Sequence, residues 1–357
     1  MKLLIFFVIL SVTSFGCIST IKQSTPTAEQ GTSILEKVNL GGIEQWILVH
    51  NQDLQKPIIL VLHGGPGYAM MPLIHETNKE LEEHFVIINW DQRGAGKSYS
   101  ESIPKETMTL EQMLLDAHEL TKYLKQRFDK KKIFLVGHSY GTILGMLLVK
   151  RYPNDYYAFV GIGQVVDVIE NEQLSYDFAL RESLADNNTQ AISELEYIGR
   201  PDEQGKYLDD SGYELTLKWL EFYGGELYGK SSSEEVNEAI LNSEIYANNQ
   251  EQWVKGWKFS QQLFDDPAIW NLDLRTQVSE VKIPVYFFTG RYDYDTPSSL
   301  VEEYYQLLKA PEKGIIWFDN SAHFPFLEEA EKFNTMLIEL KHIDSLQPLY
   351  EIIPSKE

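Results

Sequence analysis

Apolar residues along this chain follow two rhythms. In the first, they run together without a polar face, as in Ile58-Ile59-Leu60-Val61-Leu62, Phe85-Val86-Ile87-Ile88 and Ile133-Phe134-Leu135-Val136. The pattern returns at 157–162, in Val285-Tyr286-Phe287-Phe288 and in Gly314-Ile315-Ile316-Trp317-Phe318. A strand apolar on both sides is one covered on both sides, so these runs predict the buried strands of a parallel sheet. Residues 33–40 and 43–49 flank Gly41-Gly42, a pair that tolerates positive φ, and predict a β-hairpin at the start of the body.

The second rhythm is helical. Leu110, Met113, Leu114, Ala117, Leu120, Leu124 and Phe128 recur at helical spacing behind Thr109-Leu110-Glu111-Gln112, which reads as a capping box. A shorter helical run follows the strand at 133–136 and stops at Pro153. Strands alternating with such helices predict an α/β fold, with a mostly parallel central sheet and helices on both faces. From 165 to 280 the character changes: acidic, amide and aromatic residues dominate, strand runs are few, and helical patterns appear at 234–246 and 250–264. This segment predicts an inserted helical cap over the mouth of a site. The core is then expected in two parts, 33–164 and 281–342, closed by a helix around 328–340, with 343–357 as a C-terminal tail.

Composition narrows the function. With 43% hydrophobic residues in 357, the chain can bury a sizeable core. A formal net charge of −22 argues against a nucleic-acid partner and against charge-driven binding to an anionic lipid surface. The first 16 residues have one positive charge, a short apolar run at 3–10 and mostly small residues after it, the layout of an export signal peptide. That run is too short for a permanent span, which needs roughly 20 residues. The single cysteine, Cys17, follows directly, in a Ser14-Phe15-Gly16-Cys17 segment that resembles a bacterial lipoprotein cleavage site. The expectation is an exported protein tethered through lipid on Cys17, or alternatively secreted, with 17–32 as a flexible tether.

The chemistry centres on Gly137-His138-Ser139-Tyr140-Gly141, placed between a predicted strand and a predicted helix. This G-x-S-x-G pattern is a nucleophile elbow, whose glycines let a tight turn present the serine hydroxyl. A serine needs a base, and the base needs an orienting carboxylate. Downstream of the cap, His323 lies in the loop after the strand ending at Phe318, whereas His342 ends a helix, where the last carbonyls suit it. His323 is therefore the candidate base. The loop after the preceding strand, Gly290-Arg291-Tyr292-Asp293-Tyr294-Asp295, offers Asp293 as the carboxylate, with Asp295 as the alternative and Asp319 as a third. His63-Gly64-Gly65-Pro66-Gly67 leaves backbone amides uncovered beside this site. Gly94-Ala95-Gly96-Lys97-Ser98 lacks the first glycine of a phosphate loop, since Asp91 stands there. Asp91 and Arg93 read instead as pins of a structural loop.

Together, the HGGPG segment at 63–67, the segment from Asp91 to Ser98, the elbow at 137–141, Gly290-Arg291-Tyr292-Asp293 and Ala322-His323-Phe324 resemble the proline iminopeptidase branch of the α/β-hydrolase superfamily. The resemblance implies an α/β-hydrolase fold, a Ser139, Asp293 and His323 triad, and an oxyanion hole from the amides of Gly65 and Tyr140. It also implies an aminopeptidase whose cap acids hold the substrate's ammonium, with a small peptide, amide or ester as substrate. Glu221 and Glu226, in an acid- and aromatic-rich stretch of the cap, are the candidate substrate-binding residues. Trp253 and Trp257, four apart, read as helix packing. No cofactor or metal is required, and no histidine pair has zinc-site spacing. A carboxylesterase on the same scaffold and a non-catalytic tethered binding protein are the competing readings.

Overall fold

The computed structural model describes residues 33–342. The expected signal peptide, tether, Cys17 and tail lie outside the described residues. The first hairpin forms as its sequence predicts: β1 (Ser33–Leu40) and β2 (Ile43–His50) pair antiparallel, with Leu40 opposite Ile43 across Gly41-Gly42, both at positive φ. The apolar runs supply the rest of the sheet, as β3 (Ile58–Leu62), β4 (Val86–Asp91), β5 (Ile133–His138), β6 (Tyr156–Ile162), β7 (Val285–Gly290) and β8 (Lys313–Phe318). The 8-stranded sheet runs β1-β2-β4-β3-β5-β6-β7-β8, antiparallel only at β1/β2 and β2/β4.

Strand side chains alternate between two separate cores. Ile58, Leu60, Leu62, Ile133 and Leu135 join one hydrophobic cluster, and Ile59, Val61, Phe134 and Val136 join the other. Three helices complete the first half of the sheet: α1 (Met71–Thr77), α2 (Leu110–Arg127) and α3 (Tyr140–Arg151). Met71 and Leu73 of α1 pack into the second cluster, while α2 and α3 pack into the first. Between β6 and β7 come α4 (Val168–Ala185), α5 (Thr189–Ile198), α6 (Gly212–Phe222), α7 (Glu234–Asn242), α8 (Gln250–Ser260), α9 (Pro267–Trp270) and α10 (Leu274–Gln277). The closing helices are α11 (Ser298–Leu307), α12 (Pro325–Glu328) and α13 (Ala330–Glu339). No helix among the described residues is long and apolar enough to cross a membrane.

Three local expectations change. The apolar run at 314–318, expected to be buried on both faces, forms the edge strand β8, which pairs only with β7 and is half-buried along most of its length. The Thr109 hydroxyl accepts from the Gln112 amide at 3.2 Å, but the Gln112 side chain donates to Asp116 at 2.7 Å, so only half of the capping box forms. Asp116 draws it away because this carboxylate is the partner of Arg93. The helical pattern at 250–264 breaks after Ser260 into a 3-10 turn over Gln261–Asp265.

The loop after β4 is pinned at both of its polar residues. Asp91 accepts from the Lys97 amide at 2.7 Å and from the Tyr246 hydroxyl at 2.5 Å, which ties the inserted helices to the sheet. Burial pushes its carboxyl up to about 7, against the pull of those two donors. Arg93 and Asp116 form a two-pronged ion pair, at 2.7 and 3.0 Å, with both side chains at most 1% exposed. Removing one partner of such a pair leaves a buried charge alone, at about 3–5 kcal/mol. Asp116→Ala is therefore expected to lower the unfolding free energy by about that amount, read as a lower urea midpoint.

The chain order of the parallel strands reverses beside β3. From β3 it steps outward to β4, then returns to β5 on the other flank, so β3 and β5 are neighbours joined by no direct connection. In an open α/β sheet this switch point leaves a crevice beyond the carboxyl ends of the two strands. The HGGPG loop and Ser139 are what those two ends carry.

Candidate active site

Ser139 sits between the last residue of β5 and the first of α3, at φ +53° and ψ −127°. A non-glycine residue at positive φ is strained, and such strain persists only where its surroundings enforce it. Here the Ser139 amide donates to Ile162 O at 2.9 Å, and its carbonyl accepts from the Thr142 amide at 2.7 Å and the Thr142 hydroxyl at 2.6 Å. A side chain at Gly137 would put its Cβ 2.6 Å from Gly141 O, so the crossing of strand and helix closes only with glycine there. A Cβ on Gly64 would lie 2.8 Å from that of Ser139, so the HGGPG loop packs directly against the elbow. Gly65 and Tyr140, the expected oxyanion donors, flank the serine and line the same cavity.

His323 and Asp293 meet from separate loops. The Nδ1 atom of His323 is 3.0 Å from Asp293 Oδ2, both side chains nearly fully buried. Asp293 is itself fixed, accepting from the Thr296 amide at 2.8 Å and the Thr296 hydroxyl at 2.7 Å. Asp295, the alternative carboxylate, touches the opposite nitrogen: its Oδ2 is 3.1 Å from His323 Nε2. Burial alone would lower the basicity of His323, but the Asp293 and Asp295 carboxylates, with Glu226 behind them, hold it up at about 9. Asp319 is excluded by its position, since it pairs with Arg291 at 2.9 Å.

These residues open into a cavity of about 370 Å³. Its floor is Gly64, Gly65, Ser139, Tyr140 and His323, and its walls include residues of α4, α6, α7 and α8. Among the described residues, four carboxylates line it, Glu172, Glu221, Glu226 and Asp295, and no lysine or arginine does. Burial, then the charges of Asp295 and Glu221, push the Glu226 carboxyl up to about 8. Burial and the Asp295 charge push Glu172 up to about 7, against a hydrogen bond from the Tyr207 hydroxyl at 3.1 Å. Glu221 accepts from the amide and hydroxyl of Ser233. The backbone carbonyl of Glu226 accepts from the His323 amide at 2.9 Å, and that of Gly225 from the Tyr294 amide at 3.0 Å. One short stretch of the insertion thus braces both loops that meet at His323.

The structure gathers Ser139, Asp293, His323, Gly65, Tyr140, Glu221 and Glu226 into one region. It adds two acids with no role assigned from sequence, Glu172 and, as a cavity wall, Asp295. Glu172 lies on α4, seven residues beyond the start of the insertion at 165, where acidic residues are too common to single one out. Trp253 packs as expected, in a hydrophobic cluster and 6.3 Å from the Trp257 ring, but both residues also serve the site. Trp253 is buried and donates its indole N-H to Ala69 O at 2.8 Å, but both rings line the cavity and Trp257 is 41% exposed. The i, i+4 face of α8 is turned to the HGGPG loop, so helical spacing here serves the cavity wall as well as packing.

Among the described residues, one group of side chains lies close enough to share a metal ion: His50, His75 and Glu82. It is outside the cavity, the two imidazoles stack 4.3 Å apart and nearly parallel, and both Nδ1 atoms face Glu82 Oε1, at 2.5 and 3.7 Å.

Residues 53–330 match the family model described as serine aminopeptidase, S33. The chain is 31% identical over 318 residues to a probable aminopeptidase, YbaC, of Bacillus subtilis (strain 168), covering 88% of this chain and 98% of that relative. It is 27% identical over 283 residues to a proline iminopeptidase of Heyndrickxia coagulans, covering 77% and 87%. Among solved structures, the proline iminopeptidase of Mycobacterium smegmatis superposes with a TM-score of 0.59 over 87% of this chain and 98% of that one, at 16% identity. That likeness shows the α/β-hydrolase fold.

Proposed function

This chain belongs to the serine aminopeptidase S33 family, and on that premise we propose that it is an aminopeptidase working through Ser139, His323 and Asp293. The observation that carries the reading is the cavity wall: among the described residues, four carboxylates and no lysine or arginine surround the space in front of Ser139 and His323. Such a wall is complementary to a substrate whose scissile bond lies one residue from a free ammonium. The relatives' names, aminopeptidase and proline iminopeptidase, point the same way.

The mechanism follows from the geometry. Ser139 attacks the carbonyl of the N-terminal residue, and His323 takes the hydroxyl proton on Nε2. Asp293 fixes the ring by accepting from Nδ1-H and stabilises the imidazolium that forms. The amides of Gly65 and Tyr140 receive the oxyanion, and a donor of this kind is worth about 3–4 kcal/mol of barrier. The imidazolium protonates the leaving amine, leaving an acyl-enzyme that water, deprotonated by the same histidine, hydrolyses. Glu226 and Glu172 hold the ammonium, with Glu221 placing the rim through Ser233. The segment 165–280 acts as the cap that walls the substrate cavity above Ser139.

The test pairs amino-acyl p-nitroanilides, proline among them, with their N-acetylated forms and with simple acyl esters. Free-amine substrates are expected to be cleaved and blocked ones to be ignored. Efficient cleavage of neutral esters with indifference to the amine would replace the proposal with a carboxylesterase. An arriving ammonium favours the ionised form of Glu226, which burial holds up at about 8, and Glu226→Gln removes that partner, a loss of about 2 kcal/mol or more. The preference for free-amine over neutral substrates, as a ratio of kcat/KM, should then fall about 30-fold.

A further inference from the structure

His323 presents two nitrogens and the structure gives each a carboxylate. Asp293 takes Nδ1 and is anchored by both donors of Thr296. Asp295 lies at ion-pair distance from Nε2, 3.1 Å, without the alignment of a hydrogen bond, and among the described residues its carboxylate accepts no hydrogen bond. The Ser139 hydroxyl, in turn, has no hydrogen-bond partner among the described residues. Nε2 is the nitrogen the mechanism needs for the serine proton, because Nδ1 is committed to Asp293. The Nε2 atom of His323 therefore faces the Asp295 carboxylate and makes no hydrogen bond to the Ser139 hydroxyl.

Asp295 is free to move in a way that Asp293 is not. Its backbone is held, the carbonyl accepting from Asn171 Nδ2 at 2.6 Å, but its side chain is 24% exposed and forms part of the cavity wall. The ionisable groups around it are Asp293 on its own loop, His323 after β8, Glu172 on α4, Tyr213 and Glu221 on α6, and Glu226 just beyond α6. His323 is the one potential cation in that set. An ammonium entering the cavity offers Asp295 a second.

We propose that Asp295 is a specificity-determining latch: it holds His323 Nε2 until the ammonium of a substrate draws its carboxylate away, which frees the nitrogen for Ser139. The proposal rests on the Ser139 and His323 reading above. Its proton balance is simple. The resting imidazolium carries hydrogen on both nitrogens; ammonium binding neutralises the carboxylates that favour it, and the Nε2 proton leaves to solvent. The ring that remains has Nδ1-H on Asp293 and an open lone pair facing the serine. A neutral ester brings no charge to make that exchange, so the latch turns the demand for a free N-terminus into a condition on chemistry as well as on binding. Asp295 acts through His323 and is a positioning residue.

The test uses the full chain. Losing a contacting carboxylate lowers a histidine's pKa by about one unit or more, so Asp295→Asn should move the acid limb of kcat/KM down by at least that much. Below the limb, the fraction of open base then rises about tenfold, and kcat/KM for a neutral acyl ester should rise with it while that for free-amine substrates falls. An unmoved acid limb, or a neutral-ester rate that drops together with the amine rate, would show an anchoring or structural role and overturn the latch. A second measurement needs no variant: methylammonium should accelerate labelling of wild-type Ser139 by a small neutral fluorophosphonate at pH 7. No acceleration would also overturn it. Complete failure of Ser139 to label, with or without the cation, would instead remove the nucleophile reading and the latch with it, so the two failures are told apart.

Discussion

Ser139→Ala is expected to lower kcat/KM for the best amino-acyl anilide by about 10⁴- to 10⁶-fold, because residues that act as one unit are lost together. On the proposed mechanism, without the hydroxyl His323 has no proton to take and no acyl-enzyme can form. What survives is transition-state binding at the Gly65 and Tyr140 amides, which by itself leaves a modest advantage over water. The substitution suits the fold. The φ of +53° is a cost that serine already bears, and the hydrogen bonds that hold the turn run through the Ser139 backbone and Thr142. The variant should therefore keep its urea midpoint and lose its labelling by fluorophosphonate. Retained turnover at more than a hundredth of wild type, in protein shown by mass to carry the substitution, would end the serine mechanism.

Asp293→Asn should cost about 10⁴-fold in kcat, with KM little changed, through the tautomer rather than through the shape. The amide that replaces the carboxylate presents N-H where His323 Nδ1 now faces an acceptor at 3.0 Å. Nδ1 is then forced to accept, the proton moves to Nε2, and the base can no longer receive from Ser139. Among the influences on His323, Asp293 is the largest that raises its basicity, so the group should also titrate lower in the variant. The sign follows directly. A histidine held near 9 is protonated and idle as a base below that pH, so wild-type kcat/KM should climb with pH through the alkaline range, whereas the variant's residual activity should level off at lower pH. Asp295→Asn shares the downward shift of the limb but not the loss on neutral esters, and the pair of profiles separates the two carboxylates.

Much of this was legible from residue order. Most of the both-faces apolar runs are buried strands, since a sheet covered twice can use them, whereas the run at 314–318 became the half-buried edge strand β8. The elbow glycines had to sit at a crossing too tight for a Cβ, and they do. His323 and Asp293 could be singled out because each follows a predicted strand, and strand ends in a parallel sheet share one edge. Short-range pattern and a fixed strand direction carry that information, so a sequence is enough to reveal it.

The choice between Asp293 and Asp295 was of another kind. They are two residues apart on one loop, and both reach the same imidazole, from opposite sides. Which nitrogen each meets depends on how Thr296 anchors one of them and how Asn171, far away in the chain, holds the backbone of the other. Glu172 and the cavity face of Trp257 were hidden for a similar reason: an acid or an aromatic in an acidic, aromatic helical segment looks like any other until the helices are packed over the sheet. The chain alone therefore determined the strands, their order of use and the chemical types at their ends. Only the packed molecule decided which acids share a low-dielectric cavity with His323, because that depends on distances between segments far apart along the chain, to which local pattern is blind.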